Sequence, residues 1–224
     1  MSKSALIEIV EIAHKMSRLG WGAANDGNIS IKTESGFVVT PSGIAKSELT
    51  EDDIVIVQDG GYESVSENRK PSSEFKMHIR CYSERDDVGA VIHAHPPYAT
   101  AFAIAGRALD DYSLMETVLT LGSVPVTPYA TPSTDEVGDS IAPFLQSHDA
   151  LLLQNHGALT VGCDLATAFA RMESLEHWAK ILTHTYSMGF TPKEIPRREI
   201  ERLCSMRVRY VLTGRHPGYR KYNS

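Results

Sequence analysis

Val88-Gly89-Ala90-Val91-Ile92-His93-Ala94-His95-Pro96 is the stretch from which the rest of this chain can be read. A short apolar run closed by a polar pair and a proline has the pattern of a buried strand over Val88 to His93. Along a strand alternate side chains share a face, so His93 and His95 aim both imidazoles at one point in space. Alone, a His-x-His pair more commonly marks two hydrogen-bonded structural residues. Its context argues for more. Ala150-Leu151-Leu152-Leu153-Gln154-Asn155-His156-Gly157 is a second buried-strand run that stops at a polar turn and delivers another histidine. Two such strands describe a site built on a sheet edge. With Glu74 as carboxylate, His93, His95 and His156 give three neutral nitrogens and one displaceable oxygen, the ligand set zinc uses as a Lewis acid.

Around these strands the pattern is mixed. Leu6, Ile9, Val10, Ala13, Met16 and Leu19 keep helical spacing up to Gly20. Short alternating segments follow at Asn28 to Lys32, Phe37 to Thr40 and Ile54 to Gln58, separated by turns such as Asp59-Gly60-Gly61. Pro71-Ser72-Ser73 introduces a helix from about Glu74 to Arg85, and a helix is expected after Pro97. A strand near Val124 to Pro128, a helix capped by Ser133 or Thr134 and a strand at Leu159 to Val161 come next. A long helix over Asp164 to Met188 carries the stripe Leu165, Phe169, Met172, Leu175, Glu176, Ala179 and Leu182, and Pro196 opens the last helix. The expected fold class is α/β: a single layered domain over residues 1–214, with a largely antiparallel central sheet covered by helices. Residues 215–224 lack a core pattern and are expected to form a mobile C-terminal tail.

The whole-chain properties narrow the function classes. At 224 residues one domain has ample core, and a formal net charge of −6 argues against a general nucleic-acid surface. Basic residues gather late, at Arg197-Arg198 and from Arg202 to Lys221, where acidic neighbours indicate a solvated face. The three cysteines, Cys81, Cys163 and Cys204, are widely spaced and fit reduced thiols and a cytoplasmic location. The first residues mix acids among apolar side chains and read as an amphipathic helix, not a signal peptide; no run approaches membrane-spanning length. Lys32, Lys46, Lys70 and Lys193 are expected in polar surroundings, which disfavours a Schiff-base lysine, and His14, His148, His177, His184 and His216 are expected on helix faces or the surface.

Five motifs in order, Gly27-Asn28-Ile29-Ser30, Thr40-Pro41-Ser42-Gly43, Pro71-Ser72-Ser73-Glu74, His93-Ala94-His95-Pro96 and Asn155-His156-Gly157, give the chain a resemblance. It resembles the class II aldolase family of the fuculose-phosphate aldolase type, from the first helix through the helix ending near Met188. The resemblance implies a class II aldolase/adducin-head-like fold, with one zinc ion per subunit held by His93, His95 and His156. It implies that Glu74 completes the shell or shuttles protons, and that the subunits form a homotetramer with active sites at their interfaces. The implied reaction is cleavage of a ketose 1-phosphate, L-fuculose 1-phosphate or a related deoxy-ketose 1-phosphate, to dihydroxyacetone phosphate and an aldehyde. Asn28, Ser42, Gly43, Ser72 and Ser73 become candidates for the substrate phosphate, held by neutral groups and a helix N-terminus. As isolated strings, the same residues are turn and cap chemistry.

The chain departs from the family pattern at the tyrosine that donates a proton to the leaving aldehyde. The expected register falls nearer Leu114 than Tyr112 in Asp111-Tyr112-Ser113-Leu114-Met115-Glu116, which leaves Tyr112 and Glu116 as candidates for that role. Tyr219 and Tyr222 are further candidates for closing over a neighbouring subunit's site. The scaffold also carries sugar-phosphate 4-epimerases, dehydratases and decarboxylases, and a non-catalytic adducin-head module. An acid of the Glu74 type disfavours epimerisation, and three intact histidines disfavour the non-catalytic module.

Overall fold

The apolar runs pair with one another to build the sheet that carries the histidines. The structure is a computed structural model that describes residues 3–58 and 69–222; the turn expected at Asp59-Gly60-Gly61 lies outside the described residues. In chain order the elements are α1 (Lys3–Arg18), β1 (Asn28–Thr33), β2 (Gly36–Val39), β3 (Val55–Gln58), α2 (Phe75–Glu84), β4 (Ala90–Ala94), α3 (Pro97–Ile104) and α4 (Met115–Thr120). There follow β5 (Val126–Thr127), α5 (Asp135–Leu145), β6 (Ala150–Leu153), β7 (Gly157–Gly162), α6 (Leu165–Ser187) and α7 (Arg197–Met206). Among the described residues the strands form one seven-stranded sheet in the order β3-β2-β1-β4-β7-β6-β5. Every pairing is antiparallel except the short one between β5 and β6. The largely antiparallel α/β layer is thus the architecture observed. The site does not lie at a lateral edge of the sheet: β4 and β7 are inner strands, and the histidines sit at their ends.

Both faces of the sheet are buried. Ile92 and Ala94 pack with Ile9, Met16, Leu175 and Trp178 from α1 and α6. Val91, Leu151 and Leu159 face the other way and pack with Phe75, Cys81 and Ile141 from α2 and α5. This two-residue alternation between two cores is why the strands read as continuous apolar runs. The stripe on α6 contains one acid for a reason: Glu176 accepts hydrogen bonds from the backbone N–H of Tyr98 and Ala99, capping the start of α3. Among the described residues no helix is long and apolar enough to cross a membrane.

The chain end departs from expectation. Residues 216–222, within the segment read as a mobile tail, lie against the body through a series of polar contacts. The hydroxyl of Tyr112 meets the carbonyls of Gly218 and Arg220 at 2.9 Å and accepts from Arg220 N–H at 2.6 Å. His216 donates to the Val118 carbonyl at 2.8 Å, and the Tyr222 hydroxyl bonds Nε2 of His148 at 2.7 Å. These are pairings between polar groups, which leave no hydrophobic period to read. His148, expected at the surface, is only 1% exposed, and Arg207, expected on a solvated face, is buried against the carbonyls of Thr120 and Thr213.

This docking is expected to make the fold acid-sensitive. Burial pushes His148 and His216 each down to about 4, with Arg220 beside His148 and Arg207 beside His216 acting in the same direction. The unfolded chain therefore takes up protons at a higher pH than the folded chain does. Stability is full above the ordinary histidine value near about 6.5 and is lost as pH falls from there toward 4. For His148 the full loss is about 3 kcal/mol. Thermal melts between pH 7 and 4.5 are expected to show a falling midpoint, and His148→Gln is expected to flatten that slope.

Candidate active site

β4 ends at Ala94, so His93 is its last residue but one and His95 stands immediately beyond it. Both belong to the face covered by α2. The register pairs His93 with Asn28 on β1 and with Leu159 on β7. The backbone N–H of His95 is held by the Trp21 carbonyl at 2.8 Å. His156 lies in the tight turn joining β6 to β7. Asn155 there adopts φ 57°, a left-handed conformation that asparagine tolerates better than most residues. Gly157 follows because a Cβ at that position would sit 2.5 Å from the Ala94 carbonyl oxygen and 2.6 Å from a ring carbon of His95. The Asn-His-Gly string is therefore a backbone device that brings a third imidazole against the other two.

One ring nitrogen from each of His93, His95 and His156 lies within 4.8 Å of the others. The two Nε2 atoms of His93 and His95 are 3.1 Å apart. Glu74 completes the cluster, with Oε2 3.4 Å from His93 Nε2 and Oε1 3.2 Å from His156 Nε2. Two ligands bonded at about 2.0–2.1 Å to one tetrahedral ion stand roughly 3.3 Å apart, so these separations suit a shared ion. The protons argue the same way. His93 Nδ1 donates to the Ala158 carbonyl at 2.9 Å, which leaves Nε2 bare and facing the Glu74 carboxylate. Neutral His95 must set a lone pair either against that Nε2 or against Asp26 Oδ2, 3.5 Å from its Nδ1. A cation between the Nε2 atoms removes the conflict. Glu74 Oε1 is itself buried without a hydrogen-bond partner. Burial, reinforced by the neighbouring histidines, holds His93 well below the usual imidazole range, and burial also lowers His156; both keep their lone pairs at neutral pH.

The cluster opens into a cavity of about 240 Å³ lined by Glu74, His95 and His156 on one side and by Ser42, Gly43, Ser72 and Ser73 on another. The two serine loops meet through a bridge between Pro41 and Pro71, with Ser42 N–H donating to Lys70 and Ser72 N–H to Thr40. Gly43 takes φ 78°, the left-handed turn for which glycine is suited. Ser72 and Ser73 lead into α2, whose N-terminus carries partial positive charge. Asn28 lines the same cavity, but its amide is already engaged, with Nδ2 on Glu74 at 2.9 Å and Oδ1 on His78 at 2.6 Å.

Tyr112 is not part of this assembly within the chain. It is fully buried beside Ile200 and Tyr219, and its hydroxyl is occupied by the tail backbone. Lys46 also differs from expectation. It is 5% exposed, burial lowers its ammonium to about 8, and it donates to the Asn25 carbonyl at 3.1 Å. It ties down the loop that forms one wall of the cavity. Sequence reasoning missed Asp26 and Lys46 as neighbours of the site, and placed His78 only as the residue one helical turn after Glu74. Asn28 and Ser30, two apart on a strand, and Glu74, His78 and Tyr82, four apart along a helix, carried the signal for His78.

Comparison with known proteins agrees with this geometry. The profile of the Class II Aldolase and Adducin N-terminal domain matches residues 7–183. The chain belongs to the class II aldolase family. It is 36% identical over 200 residues to a 5-deoxy-D-ribulose 1-phosphate aldolase from Bacillus thuringiensis, covering 88% of this chain and 92% of the relative. It is 33% identical over 179 residues to the L-fuculose phosphate aldolase of Escherichia coli K12, covering 80% of each. A solved structure of an L-fuculose 1-phosphate aldolase superposes with a TM-score of 0.84 at 33% identity, covering 92% of this chain and 96% of the other. Class II aldolases depend on a metal ion, and the histidine triad of this member could hold one.

Gly157→Ala tests the turn. The new methyl must displace either β4 backbone or the His95 ring, at a cost of about 1–3 kcal/mol. A lowered melting midpoint together with about tenfold weaker divalent-metal binding in a titration is the expected result.

Proposed function

We propose that this chain is a zinc-dependent aldolase that cleaves a ketose 1-phosphate, L-fuculose 1-phosphate or a related deoxy-ketose 1-phosphate, reversibly to dihydroxyacetone phosphate and an aldehyde. The observation that carries the reading is the convergence of three imidazoles and an orphaned carboxylate oxygen beside a cavity walled by serine and glycine. The names of the two curated relatives support the substrate class. His93, His95 and His156, with Glu74, would hold the ion. When bound, it supplies positive charge where negative charge develops on the substrate carbonyl as the carbon–carbon bond breaks.

The remaining work falls to side chains. Ser42, Ser72 and Ser73 offer hydroxyls and Gly43 a backbone N–H to the phosphate, aided by the N-terminus of α2. Asn28 has one amide hydrogen left for substrate once Glu74 has taken the other. Glu74 is the acid/base: it lines the cavity, its Oε1 makes no hydrogen bond, and the carboxylate takes the proton at the reacting carbon or oxygen. A homotetramer in the cytoplasm, with sites at subunit interfaces, completes the reading.

Metal-loaded protein offered a panel of ketose 1-phosphates is expected to release dihydroxyacetone phosphate, and a chelator is expected to abolish the release. Bound metal without release from any substrate would overturn the aldolase assignment. Glu74→Gln is expected to keep metal while turnover falls by about 10²–10⁴-fold. His95→Ala is expected to lose both, which metal analysis alongside the rate assay would show.

A further inference from the structure

Behind Glu74 a file of buried polar groups runs between β1 and α2, starting from Asn28 at the cavity wall. Asn28 Nδ2 donates to Glu74 Oε2 at 2.9 Å, and Asn28 Oδ1 meets His78 Nε2 at 2.6 Å. His78 Nδ1 meets Ser30 Oγ at 2.7 Å, and the same Oγ meets the Tyr82 hydroxyl at 2.7 Å. Asn28, Ser30, His78 and Tyr82 are all shut away from solvent.

The direction of every bond follows from its end. A carboxylate only accepts, so Asn28 must turn its NH₂ toward Glu74 and its oxygen toward His78. That oxygen only accepts, so Nε2 of His78 carries the hydrogen. A neutral imidazole has one N–H, so Nδ1 is bare and takes the Ser30 proton; Ser30 in turn accepts from Tyr82. Burial, with His93 nearby, pushes His78 down to about 3, so the ring is neutral across the working range. The five groups have a single self-consistent arrangement, and all its donors point toward Glu74.

We infer that His78 is a positioning residue: as the Nε2–H tautomer it locks the Asn28 amide, which holds Glu74 Oε2 and leaves Oε1 as the oxygen that handles the proton. The part concerning turnover rests on the aldolase reading above; the part concerning the tautomer does not. A network that served packing alone would gain nothing from ending on the carboxylate that stands among the three histidines at the cavity wall. Apolar side chains of similar volume would fill the space without the cost of burying polar groups.

Two measurements test this. The ¹⁵N spectrum of His78 in metal-free protein is expected to show a protonated Nε2 and a bare Nδ1. A protonated Nδ1 overturns the inference whatever the enzyme cleaves, and absence of any ketose 1-phosphate cleavage by the wild type would count against the aldolase reading alone. With a cleaved substrate in hand, His78→Phe, which keeps the ring shape and loses both bonds, is expected to lower kcat about 10–100-fold with KM changed less than about threefold. His78→Gln, which retains a donor toward Asn28, is expected to recover much of that loss. Wild-type kcat in His78→Phe, or no recovery in His78→Gln, overturns the inference. Should the phenylalanine variant fail to fold, His78→Leu, which also loses the donor toward Asn28, takes its place: a kcat loss of about 10–100-fold supports the inference, and an unchanged kcat overturns it.

Discussion

Electron pairs aimed at one another are the constraint around which the chain is organised. His93 Nε2 is bare because Nδ1 is committed to the Ala158 carbonyl, and it confronts both His95 Nε2 and the Glu74 carboxylate within 3.4 Å. Such an arrangement is unfavourable in a buried place unless positive charge occupies its centre. The sheet enforces it regardless. β4 is pinned between β1 and β7, so neither His93 nor the turn at His156 can relax without breaking ladder bonds on both sides.

That enforcement explains where the rest of the structure spends its special residues. The left-handed Asn155 and the close-packed Gly157 bring β7 against β4 at the point where the third imidazole is needed. Asp26 and Ala158 take up the outward-facing nitrogens of His95 and His93. Lys46, buried with its ammonium on the Asn25 carbonyl, secures the loop that carries Asp26. Each contact fixes a ring from behind and leaves the cavity side open, the arrangement that tunes a ligand set without blocking it.

Much of this was legible in the amino-acid sequence because it depends on period and spacing. Strands buried on both faces announce themselves as apolar runs, and His93, His95 and His156 stand at the ends of two of them. What stayed hidden depends on pairing between polar groups far apart in the chain. His148 reads as a surface histidine until Tyr222, 74 residues later, is seen to cover it. Arg207 reads as one of a solvated cluster until its guanidinium is found on backbone carbonyls, and nothing in the pattern around Tyr112 announces that its hydroxyl holds the tail backbone. None of these pairings leaves a periodic trace, because a hydrogen bond needs only two atoms in place.

The same limit explains why Asn28 was read too simply. Gly27-Asn28 beside a phosphate-type loop suggests an anion ligand, and Asn28 does line that cavity. Yet three of the amide's bonding positions bear on the question: one N–H is on Glu74, the oxygen is on His78, and one N–H remains. An asparagine so placed couples the two ends of the site. A group that draws on its free N–H must do so without turning the amide, because turning would set the amide oxygen against the Glu74 carboxylate and the NH₂ against the N–H of His78. Binding in the cavity and the aim of the carboxylate are therefore one geometric condition, and the buried histidine behind Asn28 sets it before any substrate arrives.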